Sequence, residues 1–395
     1  MQNFWENKNW EFEDKHLIDM KEMPFRRLFP DVNLRPGLYS IRGPRQIGKS
    51  SWIKTLLSKV TKESSANKVF YMSCENLSDH RDLAEVLNTY KKTRDFIFLD
   101  EVTFVKEWSR PIKQILDEGY KGVVVVTGSN LLDLRSGVDR MPGREGFGQD
   151  LFLLPMDFHE YQKARKEAGW ISENRTDELK KYFRVGGFPL AVAEAGKSGI
   201  KTTKTEKIIE KWILGDIARI GKNENYIKEL MSQSVQTLSS QMSTQKLAQR
   251  TQIGSHHTVA DYIQTLEDMF VMRTLYSIDP NTGALRFKKE KKYYLNDPIY
   301  VRLGLRWLGL NNSEVEESTL AEMAAHEYLQ RKYNRIGFLS SASGGEVDFF
   351  AYKKWAIEVK WSEQITGLSK TYKNLNLPFK CVWNQENFFL NEPDI

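Results

Sequence analysis

Residues 43–50 read Gly-Pro-Arg-Gln-Ile-Gly-Lys-Ser, the G-x-x-x-x-G-K-S spacing of a phosphate-binding loop. In such a loop successive backbone N–H groups and the start of the following helix surround phosphate oxygens. The expected nucleotide-binding segment is therefore Gly43, Pro44, Arg45, Gln46, Ile47, Gly48, Lys49, Ser50 and Ser51. Lys49 has the reach for the β- and γ-phosphates, and the Ser50 hydroxyl is placed to ligate Mg²⁺. Further on, Asp95-Phe96-Ile97-Phe98-Leu99-Asp100-Glu101 is an apolar run ending in two carboxylates. Asp100 is expected to hold Mg²⁺ opposite Ser50, directly or through water. Glu101 is expected to orient or deprotonate the water that attacks the γ-phosphate. The next apolar run ends in Gly128-Ser129-Asn130, where Ser129 or Asn130 either senses the γ-phosphate or caps a helix. Arg144 either neutralises transition-state charge on the phosphoryl group or is a surface residue. The catalytic candidates are thus Lys49, Glu101, Asn130 and Arg144, and the expected cofactors are ATP and Mg²⁺.

A second constellation lies near the C-terminal end. Residues 345–350 and 356–360 read as two strands joined by Tyr352-Lys353-Lys354-Trp355. Strand alternation puts Asp348 on the face of Glu346, and Glu358 on the face of Lys360. If those faces coincide, carboxylates and a lysine converge. The pattern resembles the PD-(D/E)xK nuclease core, and the resemblance adds Glu322, on the preceding helix, as a fourth member. Asp348, Glu358 and Glu322 would then hold Mg²⁺, and Lys360 would position or activate a water for phosphodiester attack. Cross-strand salt links are the alternative reading of the same residues.

Between these constellations, residues 244–253 and 256–267 read as two short helices joined by a turn containing Gly254. That is a helix-turn-helix, with Ser255 as the cap of the second helix and an apolar face at Val259, Tyr262, Ile263 and Leu266. The second helix offers His256, His257, Thr258 and Gln264 for hydrogen bonding. Residues 270–276 and 291–295 could form a wing, and the basic stretch 286–292 could contact phosphates. An interface between domains or subunits is the other use of such a module.

These groups need elements to position them. Short β-rich runs at residues 38–42, 68–73, 95–101, 122–127 and 150–154 alternate with helical stretches, which predicts a parallel sheet covered by helices. From residue 157 to about residue 221 the chain reads as helical, broken by Val185-Gly186-Gly187-Phe188-Pro189. With 395 residues, several domains are expected. The charge balance of +6, from 58 Lys and Arg against 52 Asp and Glu, permits contact with nucleic acid without requiring it. No apolar run reaches the ~20 residues of a membrane span. No secretory signal is visible, and Cys74 and Cys381 form neither a disulfide framework nor a zinc spacing. A cytoplasmic protein is the expectation.

Taken together, GPRQIGKS, FIFLDE, VVVVTGSN, LLPMDFHEY, VGGFP, LEDMFVM, KKYYLNDP, EVDFF and IEVK resemble the AAA+ ATPases of a widespread prokaryotic group with a C-terminal region of unknown function. The Gly-rich continuation after Arg144 is longer than the pattern of that group. The resemblance implies an α/β fold: an AAA+ P-loop domain at residues 1–156, a helical lid at 157–222, a winged helix at 223–312 and a small restriction-endonuclease-like domain at 313–395. The resemblance does not settle a cellular role; the leading expectation, from the residues, is Mg-dependent ATP hydrolysis that controls C-terminal domains acting on DNA. An ATP-regulated nuclease and a nucleotide-controlled protein-interaction switch are the alternatives. Expected partners are ATP, DNA, a second copy of the chain or another protein, and no membrane.

Overall fold

A computed structural model describes residues 4–7, 9–77, 79–128, 143, 146–199, 202–310, 315–341, 345–362, 365 and 367–393. The chain divides into two compact units, Met1–Pro155 and Met156–Ile395.

The first unit is built on five parallel strands in the order β2-β3-β4-β1-β5. They are β1 (Gly37–Arg42), β2 (Val69–Ser73), β3 (Phe96–Asp100), β4 (Val123–Thr127) and β5 (Asp150–Phe152). Each lies where the β-rich runs predict a strand. Strands of a parallel sheet are covered on both faces, so they read as continuous apolar runs rather than alternating ones. Ile97, Phe98 and Leu99 of β3 and Val124, Val125 and Val126 of β4 are fully buried. After the short helices α1 (Trp10–Glu13) and α2 (Lys15–Glu22) come α3 (Lys49–Glu63), α4 (His80–Tyr90) and α5 (Ser109–Asp117). The strand order matters for chemistry. β4 lies between β1, which leads into the phosphate loop, and β3, which carries the acids, so the C-terminal end of β4 sits between the two.

The second unit opens with α6 (Phe158–Glu167), where Asp157 and Glu160 form a reciprocal capping box. There follow α7 (Arg175–Val185), α8 (Pro189–Ala195), α9 (Thr203–Arg219) and α10 (Glu224–Gln236). The Gly-Gly break after α7 has a steric cause. Gly186 has φ +80°, and a Cβ there would lie 2.0 Å from Oδ1 of Asp297. A Cβ on Gly187 would lie 1.9 Å from the Met156 carbonyl oxygen. The Gly187 N–H donates to Asp297 Oδ2 at 2.7 Å, and the Ile299 N–H donates to Asp297 Oδ1 at 2.8 Å. Asp297 thereby caps α13 (Pro298–Trp307) and closes a clasp between two sequence motifs far apart in the chain. Burial pushes its carboxyl up to about 7.

The two predicted short helices are α11 (Thr244–Gln249) and α12 (His256–Asp268), the latter capped by Ser255. An antiparallel pair follows, β6 (Met272–Tyr276) and β7 (Lys291–Leu295). The unit ends with α14 (Glu317–Lys332), a four-stranded sheet and α15 (Lys370–Asn374). The sheet has the order β11-β10-β9-β8, from β8 (Gly337–Ser340), β9 (Glu346–Ala351), β10 (Trp355–Val359) and β11 (Phe379–Trp383). The chain leaving β6 joins this terminal sheet: the Ile278 N–H donates to the Phe338 carbonyl at 2.9 Å, and Ile278 packs against Leu339, Val347 and Phe350.

Candidate functional site

The phosphate loop runs from the end of β1 to the start of α3, and two of its residues need backbone that only glycine adopts freely. Gly43 has φ +156°, and a Cβ there would lie 2.0 Å from the Leu153 carbonyl oxygen. Gly48 has φ +98° and stands immediately before α3. Gln46, between them, also lies in the left-handed region at φ +60°. Ile47 is buried and anchors the loop, Pro44 is buried, and Arg45 is half-buried. The Lys49 ammonium donates to the carbonyls of Gly43 and Pro44 at 3.0 and 2.9 Å, so it is gathered against the loop rather than extended into solvent. Ser50 and Ser51 lie in the first turn of α3, half-buried.

The N-terminal segment braces this loop. Arg27 Nη1 donates to the Ile47 carbonyl at 2.8 Å, and Arg27 Nη2 donates to the Leu154 carbonyl. Phe29 stacks on Trp52 of α3 with ring centroids 6.0 Å apart and sits against Gly48. Arg27 carried no signal in the sequence, because the groups it joins are backbone carbonyls in segments remote from it.

Asp100 ends β3 and is nearly fully buried. It accepts hydrogen bonds from the hydroxyls of Thr127 and Tyr71, the latter at 3.2 Å, and the Ser50 hydroxyl lies near it. Burial pushes its carboxyl up, and the three hydroxyls oppose that shift. A hard cation beside it would favour the ionised form, and the oxygen donors of Ser50 and Asp100 fit Mg²⁺. Glu101 follows in left-handed backbone, φ +53° and ψ +42°, and its N–H donates to Thr127 Oγ1 at 2.9 Å. One hydroxyl at the end of β4 thus holds the Asp100 carboxylate and the Glu101 backbone together. A polar residue closing an all-valine strand was a signal for Thr127 that the motif reading passed over. Ser129, Asn130 and Arg144 lie outside the described residues.

In the second unit, Ile357 pairs with Phe349 in the antiparallel register of β9 and β10, which puts Glu358 opposite Asp348 on one face. Asp348 Oδ2 accepts from the Val359 N–H at 2.9 Å, and Lys360 Nζ lies 3.3 Å from Glu358 Oε2. Burial, reinforced by the carboxylates of Glu322 and Glu358, pushes the Asp348 carboxyl well up. Glu322 of α14 lies beside Asp348, and Glu346 joins them: the three offer oxygens within 4.8 Å of one another. Glu358 is buried and outside that trio. Lys292 was unforeseen at this place. The basic stretch suggested phosphate contact, yet Lys292 is fully buried and its Nζ is 2.8 Å from Glu322 Oε1. Lys288 and Lys289 of the same stretch are exposed, as are His256, His257 and Gln264 on α12.

Residues 35–162 match the family described as an AAA domain, and residues 176–307 match a family described as a domain of unknown function. An uncharacterised protein of Methanocaldococcus jannaschii is 21% identical over 383 residues, covering 88% of this chain and 82% of its own length. Among solved structures, the chain is similar to a Walker-type ATPase of Pyrococcus abyssi, with TM-score 0.46 and 13% identity over 74% of this chain and 95% of that one. It is also similar to the ORC2 protein of Aeropyrum pernix, with TM-score 0.40 and 12% identity over 69% and 88% of the two chains. For AMPPCP-bound DnaA of Aquifex aeolicus the TM-score is 0.33 and the identity 15%, over 60% and 82%. Residues 35–162, which hold the phosphate loop and the acidic strand, are thus similar to an AAA domain. No helix among the described residues is long and apolar enough to cross a membrane.

Proposed function

We propose that the chain is an Mg-dependent, AAA-type ATPase whose nucleotide turnover controls the C-terminal unit. The observation that carries this reading is the glycine-dependent phosphate loop standing beside the acidic end of β3, with the Ser50 hydroxyl near the buried Asp100 carboxylate. In the proposed mechanism the loop amides and Lys49 bind the β- and γ-phosphates, and Ser50 and Asp100 hold the metal. Mg²⁺, when bound with ATP, neutralises charge on the phosphate oxygens. Glu101 orients the attacking water, its backbone fixed by Thr127. Asn130 and Arg144 complete the reading as γ-phosphate sensor and charge neutraliser.

The test uses two variants of the full chain. Lys49→Ala should abolish ATP turnover, and Glu101→Gln should retain ATP while slowing hydrolysis by roughly 100-fold or more. Turnover that survives Lys49→Ala would sink the proposal; loss of ATP binding in Glu101→Gln would remove Glu101 from the water-positioning role.

A second reading, that the terminal domain and the helix-turn-helix act on DNA, is favoured by the shared face of Asp348 and Glu358 and by the exposed side chains of α12. It predicts steeply salt-dependent nucleic-acid binding. Absence of binding at low salt would favour protein partners instead.

A further inference from the structure

The carboxylates of Glu322 on α14 and of Glu346 and Asp348 on β9 have oxygens within 4.8 Å of one another. Three acids this close repel unless one keeps its proton or a cation stands among them. A cation does. Lys292 Nζ is 2.8 Å from Glu322 Oε1, pairs with Glu346 Oε1 and lies 3.8 Å from Asp348 Oδ1, and its side chain has 0% exposure. The lysine comes from β7, outside the terminal sheet. The neighbouring groups are also arranged around this pairing. Tyr294, two residues along β7 and so on the same face, donates to Glu322 Oε1 at 2.5 Å. Gln241 Nε2 donates to Glu346 Oε2 at 2.5 Å, and the Val359 N–H takes Asp348 Oδ2. The cluster is thus a polar network with an ammonium group at its centre, in which Glu322, Glu346 and Asp348 each also accept a hydrogen bond from a neighbouring group.

We propose that Lys292 is the resident cation of this carboxylate centre and that its ammonium keeps divalent metal out of the folded chain. A divalent ion entering between the same oxygens would lie a few ångströms from a buried positive charge, where repulsion is poorly screened. Metal-dependent cleavage by the terminal domain would require the β6–β7 hairpin to draw Lys292 away first. This goes beyond the ATPase reading and does not depend on it.

The test is Mn²⁺ binding to the full chain without nucleotide, followed by electron paramagnetic resonance. Wild type and Asp348→Asn should bind Mn²⁺ alike, since the centre contributes no site. Lys292→Met leaves the carboxylates without their cation and should bind one Mn²⁺ per chain roughly tenfold or more tighter than wild type. Adding Asp348→Asn to Lys292→Met should remove that gain. Wild-type Mn²⁺ binding that Asp348→Asn abolishes would overturn the proposal, and so would a folded Lys292→Met chain with no gain in affinity. If Lys292→Met does not fold, the comparison of wild type with Asp348→Asn decides alone.

Discussion

His326 shows how far a single buried side chain can set the chain's response to pH. It is fully buried and stacked on Tyr294 with ring centroids 4.4 Å apart, and neither ring nitrogen has a hydrogen-bond partner among the described residues. Burial, with the positive charges of Arg273 and Lys292 nearby, pushes its pKa down from 6.5 to about 3. The unfolded chain therefore binds this proton over a range where the folded chain does not. Through His326 the chain keeps its full stability above pH 6.5 and loses part of it as pH falls towards about 3. His326→Phe should flatten that part of the profile and stabilise the chain at neutral pH by about 1 kcal/mol, since two unpaired nitrogens are removed. Denaturant midpoints at several pH values check this; an unchanged acid slope would refute it. His326 had no signature in the sequence. Lys49 and Ser50 were legible because a phosphate loop is encoded within eight consecutive residues. Lys292 was not, because its partner Glu322 is 30 residues away and only packing brings them together.

Among the elements, β3 and β4 were readable from composition because both faces of a central parallel strand are apolar. The Gly-Gly break after α7 was readable as a break but not as half of a clasp. Its other half, Asp297, belongs to a helix start 110 residues further on. Gly187→Ala would put a methyl group against the Met156 carbonyl and should cost about 3 kcal/mol, measurable by urea unfolding. A variant as stable as wild type would mean the backbone relaxes without loss. The pH behaviour of the clasp has the opposite sign to that of His326. The carboxyl of Asp297 is raised from 3.8 to about 7, so the stability it contributes is present below pH 3.8 and is lost as pH rises through about 7. Asp297→Asn should remove that slope; persistence of the slope would assign it to another group.

For the whole molecule, the question is whether the nucleotide site and the carboxylate centre, which belong to different units, respond to one another. The proposed control of the C-terminal unit by ATP requires that they do. In the Glu101→Gln chain, saturating ATP should change amide-exchange protection in the phosphate loop and also in β7 and α14. Changes confined to the first unit would leave the ATPase reading standing and remove the control. The phosphate-loop unit was legible because its motifs are local and its strand rhythm is regular. The union of β7 with the terminal acids was not, because it joins segments on either side of α13.

The Asp297 clasp also orders events in time. During synthesis the Gly187 amide emerges long before its acceptor, and the stretch between them must fold or wait with that end open. Closing a loop of this length late is a slow, non-local step. A fragment ending anywhere between residues 188 and 296 would lack the closing carboxylate, including one cut at residue 222. The helices α8 to α12 and the β6–β7 pair are therefore all made before the carboxylate that closes the clasp around them.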